Sequence, residues 1–163
     1  MPPAPQPPTA PPAQIAGIRV ADRVRTVGPV GIHEGRDALG LAVRIYVGRE
    51  DALGGPDGAR AFLDAVGRAA RAQHQSLVPF TTGGREAGFV YAVAKDTGAR
   101  TVDELIGRGG ALAVERAVAI AVEVAGALTA LEEAGTRHGD LTPRRIQLPG
   151  RGQVAVRPPR VLP

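Results

Sequence analysis

The chain has 163 residues, 44% of them apolar, which is enough for one domain with a real core and short for two. It has no cysteine, which excludes a disulfide scaffold and thiolate metal sites; with aromatics at only 3%, the core must be built from Val, Leu, Ile and Ala. The net charge of +4 is carried almost wholly by arginine, so a mechanism that needs a lysine has one candidate, Lys95.

Residues 1–14, MPPAPQPPTAPPAQ, hold seven prolines and no charged side chain. Such a segment cannot supply the amide donors of a helix or sheet, and it reads as an extended, disordered tail. From Ile15 the pattern changes. Residues 18–28 alternate apolar and charged side chains as a half-buried strand does, and 30–37 and 40–47 give two more strands. Residues 49–58 read as a loop, after which Asp57 is placed to cap a helix over 59–74, with Ala59, Phe62, Ala65 or Val66 and Ala69 on one face. Residues 76–84 and 88–96 form a hairpin in which Gly83-Gly84 supplies the turn. Thr101 and Glu104 have capping-box spacing at the start of a short helix over 101–110. The strongest helical pattern covers 112–135: Ala117, Ile120, Val124, Leu128 and Leu131 form an apolar stripe, and Gly135 ends it. Two short strands follow at 145–148 and 153–156.

Between that long helix and those strands stands HGDLTPRRI, residues 138–146. Together with LAVRIYV (41–47), AQHQSLVPF (72–80) and GFVYAVAKDTGARTVDEL (88–105), it resembles a bacterial Ser/Thr protein kinase over residues 18–163. The resemblance implies an α+β fold: a kinase-like small lobe over 15–96, made of an antiparallel sheet plus one helix, then a truncated, mainly helical large-lobe remnant over 97–163.

It also implies a set of positions, and most carry altered chemistry. Phosphoryl transfer needs placed charges that hold the phosphates, bind magnesium and neutralise the transition state. The glycine-rich loop corresponds to VGPVGI, which keeps only Gly28 and Gly31, is short, and loses an amide at Pro29, so it reads as a hairpin turn. Arg44 replaces the strand lysine, and its planar fork does not reproduce a compact ammonium. The helix glutamate falls on Ala65, with Asp64 about 100° round the helix. Asp140 stands at the catalytic base, Gly139 and Thr142 replace the flanking Arg and Lys, Arg145 replaces the metal-binding Asn, and Pro158–Arg160 replace the second metal motif. Asp140, Gly28, Gly31 and Arg44 are therefore vestigial catalytic and nucleotide-site positions. Asp140 is expected to accept hydrogen bonds from its own loop.

The reading is a pseudokinase acting as a protein-binding or regulatory module, with no metal and no cofactor. Two alternatives stand beside it. One is a divergent Ser/Thr protein kinase that binds ATP, with magnesium, through Arg44 and uses Asp140 as its base, a partner completing the site. The other is a basic adaptor that binds through the proline-rich tail and the C-terminal arginines 137, 144, 145, 151, 157 and 160. Lacking interleaved aromatics, that arginine patch reads as solvated surface rather than a nucleic-acid interface. His138 and His74 read as packing and turn-fixing residues, His33 as a strand-surface residue, and Ser76 as no nucleophile. A second apolar face of the long helix (112–134), with Leu112, Val114, Val118 and Val122, calls for a protein partner or self-association. No apolar run reaches membrane-spanning length and no basic signal-peptide start is present, so the expected location is the cytoplasm.

Overall fold

The computed structural model describes residues 10–150 and 152–161, without the side chains of Asp22 and Val24. Most of the proline-rich tail, residues 1–9, lies outside the described residues. Strands β1 (Gln14–Ile15), β2 (Ile18–Val27), β3 (Val30–Arg36) and β4 (Ala42–Arg49) are followed by α1 (Gly55–Arg71) and the hairpin β5 (Phe80–Glu86) and β6 (Phe89–Lys95). The six strands form one antiparallel sheet in the order β1-β2-β3-β4-β6-β5. Helices α2 (Val102–Gly109) and α3 (Val114–Glu133) come next, then a 3-10 turn at Pro143–Arg145 and the hairpin β7 (Ile146–Gly150) and β8 (Gln153–Val156).

Strand β4 is buried on both faces, which explains its near-continuous apolar run. Val43, Ile45 and Val47 pack with Ile15, Ile18, Phe89 and Val93 on one side, where the sheet curls over itself. Tyr46 faces the other side and joins the core built on α1, whose Ala59, Phe62, Ala65, Val66 and Ala69 are all buried. Phe62 is fully buried, a burial worth about 1.5–3 kcal/mol for a side chain of this kind.

The start of α1 departs from the sequence reading. The helix begins at Gly55, after Gly54 at φ 94°, with Pro56 in its first turn. Asp57 is not the cap; it sits inside the first turn, where its charge suits the helix dipole, and it reaches only Arg60 at 3.6 Å. The β5–β6 turn is also displaced. Ala87 and Gly88, at φ 50° and 80°, make it, while Gly83 and Gly84 lie within β5. A Cβ on Gly84 would stand 2.8 Å from the Tyr91 hydroxyl, so this glycine makes room for a cross-strand ring rather than a turn.

Thr101 caps α2 with both halves of the capping box formed. Gly135, at φ 74°, ends α3 in a Schellman arrangement: Thr136 N–H donates to Leu131 O at 3.0 Å and Gly135 N–H to Glu132 O at 2.9 Å. The stripe on α3 is shifted from the expected one. Ile120, Val124 and Leu131 are buried and Leu128 half-buried, but Ala117 is exposed and Ala127 is fully buried in its place. The cause is that α3 meets Val154 and Val156 of β8 through its middle turns, leaving its first turns uncovered.

Two threads join this helical part to the sheet. Val78 N–H donates to Val156 O at 2.9 Å, and Val156 N–H donates to Ser76 O at 2.7 Å. Ala155, on the face of β8 opposite Val154 and Val156, and Val161 also pack into the α1 core.

Candidate functional site: the space between the two parts

Arg44 stands on β4 opposite Glu34 of β3 and Ala94 of β6. Its Nε donates to Asp96 Oδ2 at 2.7 Å, and its Nη2 lies 3.8 Å from Glu34 Oε1. On α1, Ala65 is buried and Asp64 exposed, so the arginine is held from the end of β6 and not from the helix. Asp96 also accepts from Gly98 N–H and from Gln147 Nε2, each at 3.2 Å, and Gln147 Nε2 is 3.0 Å from Ala99 O. Burial pushes the Asp96 carboxyl up, but Arg44, Gly98 and Gln147 outweigh it, and the group is held below its ordinary value. Arg157 lies in the same region; burial lowers its pKa, and the charges of Arg44 and Arg145 act in the same direction.

Gly139, at φ 67°, turns the loop that carries Asp140. The Asp140 N–H donates to His138 Nδ1 at 3.3 Å, and His138 Nε2 lies 3.0 Å from Arg157 O. This pattern assigns a neutral ring with its proton on Nε2. Burial depresses the His138 pKa accordingly. His138 thus fixes the loop, as the sequence reading has it. The Asp140 carboxylate does not accept from its own loop. It accepts from Arg25 Nη2 of β2 at 3.1 Å, across the space between the two parts, with Arg145 Nε at 3.7 Å, beyond hydrogen-bond range.

Arg145 is 3% exposed and donates through Nη2 to Pro158 O at 2.6 Å. A buried guanidinium therefore fills a position where the resemblance puts a magnesium ligand. Pro158 and Arg160, at the second such position, offer no carboxylate. Among the described residues, no group of three or more His, Cys, Asp or Glu side chains is placed to hold a metal ion. The cavity between the parts, lined by Ile32, Tyr46, Asp140, Arg145, Pro159 and Val161, measures about 10 Å³. That is room for about one water, against roughly 300–1,000 Å³ for a small-molecule site. At the two positions where the resemblance puts magnesium ligands, the residues present, Arg145 and Pro158 to Arg160, do not fit that cation. Three buried polar atoms in this region lack a partner among the described residues: Tyr46 Oη, Arg145 Nε and Arg157 Nε.

The glycine positions have local explanations. Gly28, at φ 57°, and Pro29 form the two-residue turn between the paired Val27 and Val30. Gly31 lies within β3, where a Cβ would come 2.9 Å from His33 Nε2. His33 is not on the strand surface: it is 7% exposed, with Nδ1 3.3 Å from Ala21 O, and burial lowers its pKa. His74 fixes a turn, its Nδ1 accepting from Ser76 N–H at 3.1 Å. The C-terminal arginines do not form one patch. Arg145 is buried, Arg157 is half-buried, Arg144 pairs with Asp103 at 3.0 Å, and Arg151 lies outside the described residues.

Asp96, Gln147, Arg25 and Tyr46 were missed by sequence reasoning, and Arg157 was read only as one of the C-terminal surface arginines. Arg44 and Asp96 are 52 residues apart and Arg25 and Asp140 are 115 apart, so no local spacing links either pair.

No protein-family model and no curated protein sequence matches the chain. Solved structures do. The kinase domain of Mycobacterium tuberculosis PknI is similar with a TM-score of 0.68 at 19% identity, over 92% of this chain and 62% of that one. Rad53 1-466 in complex with AMP-PNP is similar with a TM-score of 0.75 at 11% identity, over 89% of this chain and 38% of that one. The chain therefore spans about three-fifths of the first and under two-fifths of the second. At these identities the likeness establishes the fold alone: an α+β protein kinase-like fold with a curled antiparallel small lobe.

Proposed function

We propose that this chain is a catalytically silent protein kinase-like domain, a pseudokinase, that works as a protein-binding or regulatory module in the cytoplasm. The observation that carries the reading is that Arg145 and residues 158–160, none of them a carboxylate, stand at both metal positions beside Asp140. The space there, lined by Arg145, Pro159, Arg160 and Val161 among others, has about 10 Å³, and Asp140 is paired with Arg25. Arg44, the counterpart of the strand lysine, is committed to Asp96. Asp140 then acts as an ionic tie between the two parts and not as a base.

Binding in this reading uses the uncovered face of α3. Val114, Val118 and Val122 are 73%, 57% and 64% exposed on one side of the helix, with the exposed Ala117 and Ala121 beside them. Such a contiguous apolar face favours cover by a partner or a second copy.

The test is a thermal-shift titration with ATP, with and without magnesium. A ligand at tenfold excess over its Kd stabilises the folded state by about 1.4 kcal/mol, an easily visible shift. The expected result is no shift at millimolar ATP. A magnesium-dependent rise that Arg44→Met and Asp140→Asn abolish would overturn the reading in favour of a divergent nucleotide-binding enzyme.

A further inference from the structure

A second surface, remote from the Asp140 loop, has the features of a peptide-docking groove. It lies between the end of β6 and the β7–β8 turn, has a volume of about 500 Å³, and is bordered by Ser76, Val78, Lys95, Glu123, Gln153 and Val154 among others. Three independent features converge there.

The first is an open strand edge. On β8, Ala155 pairs with Gln147 of β7, and Arg157 N–H donates to Arg145 O at 2.8 Å. Odd-numbered residues therefore bond inward, and even-numbered ones present their N–H and C=O to the outer edge. At Val156 that edge is satisfied by Ser76 and Val78. At Val154 it is not: no hydrogen-bond partner for its outward N–H or C=O exists among the described residues. The unpaired N–H and C=O of Val154, a residue only 6% exposed, are what a single residue of an extended peptide entering the groove would bond.

The second is charge. Lys95, the only lysine of the chain, is exposed on this groove and forms no ion pair among the described residues. The third is an anchored opposite pole. Glu123 accepts from Ser76 Oγ at 2.5 Å and from Gln75 Nε2 at 3.1 Å. The Ser76 and Gln75 hydrogen bonds hold its carboxyl below the ordinary value, so it is charged at neutral pH. The groove is thus lined by one cationic and one anionic side chain together with the apolar Val78 and Ala155.

We propose that this groove docks an extended peptide segment of a partner protein, which adds main-chain hydrogen bonds to Val154 and places an acidic side chain on Lys95. The proposal rests on the reading of the chain as a protein-binding module, but it uses neither the α3 face nor the Asp140 loop. The fixed poles orient the peptide: an acidic residue at the Lys95 end, and a basic or amide-bearing residue near Glu123.

The experiment uses the full chain and two pools of fluorescein-labelled nonapeptides, one with a central Asp fixed and one with a central Lys fixed. The best binder from the Asp pool is followed by anisotropy and by amide hydrogen exchange. The expected result is preference for the Asp pool, at least tenfold weaker binding to Lys95→Glu, unchanged binding to Val118→Asp, and new exchange protection at the Val154 amide. Equal binding to both pools, binding that survives Lys95→Glu, or an unprotected Val154 amide overturns the groove. A peptide whose binding is lost in Val118→Asp but kept in Lys95→Glu overturns the groove and leaves the module reading standing. Displacement of the peptide by ATP with magnesium would count against both.

Discussion

A double-mutant cycle at Arg44 and Asp96 tests whether the position of the strand lysine has become structural. Their side chains are 15% and 11% exposed and joined at 2.7 Å, so removing one partner leaves a nearly buried charge. Asp96→Leu leaves the Arg44 guanidinium with only the distant Glu34 at 3.8 Å and removes one of the two acceptors of Gln147 Nε2. Breaking a buried pair costs about 3–5 kcal/mol; with the residual exposure, Asp96→Leu should cost about 3 kcal/mol. Arg44→Met keeps the Asp96 hydrogen bonds from Gly98 and Gln147 and should cost about 2 kcal/mol. The double variant removes both charges and should cost about 3 kcal/mol instead of the sum, a coupling of about 2 kcal/mol. Urea unfolding reads this directly: with a slope of roughly 2 kcal/mol/M, Asp96→Leu lowers the midpoint by about 1.5 M. A coupling below about 0.5 kcal/mol would refute the structural role and return Arg44 to the pool of residues free to meet a ligand.

Three further outcomes follow from the geometry. His138, His33 and Asp96 all have depressed pKa values, so the unfolded chain takes up protons first as the pH falls. Stability is lost as the pH falls through about 6.5, the ordinary histidine value, first through the histidines and then through Asp96; melting temperatures at pH 7.5, 6.5 and 5.5 should fall in that order, with a shallower fall in His138→Gln. Thr101→Ala removes the capping box of α2 and should lower stability by about 1 kcal/mol in the same urea assay. Ala87 holds φ 50° without being glycine, so Ala87→Gly should raise stability by about 0.5–1 kcal/mol, and a loss instead would place the strain elsewhere.

The periodic parts of the chain were legible in the sequence because their signal is local. The three N-terminal strands, the buried face of α1, the Thr101–Glu104 capping box and the glycine stop of α3 each follow from side chains within one turn or one strand. The errors came where two local signals competed or where distant packing decided. The Gly83-Gly84 pair imitates a turn, yet its glycines serve the Tyr91 ring across the ladder. His33 alternates with apolar neighbours as a surface residue does, but the β2 irregularities at Val20–Arg25 bring backbone over it. At the candidate site, the altered residue types at Arg44 and Arg145 could be read from the resemblance. Their partners could not: Asp96, Gln147, Arg25 and Pro158 come from other elements, and only the folded register brings them together.

The seating of Ala155 and Val161 in the α1 core has a kinetic consequence. The small lobe draws part of its interior from residues made about a hundred positions after Phe62, so it cannot complete its packing when its own strands are finished. Contacts of such long sequence separation slow folding and lengthen the time for which apolar surface is bare. During synthesis the sheet and α1 should wait as an incomplete shell, a natural client for a chaperone, until the last strand and Val161 arrive. The two parts then close as one cooperative unit and not as two domains in succession.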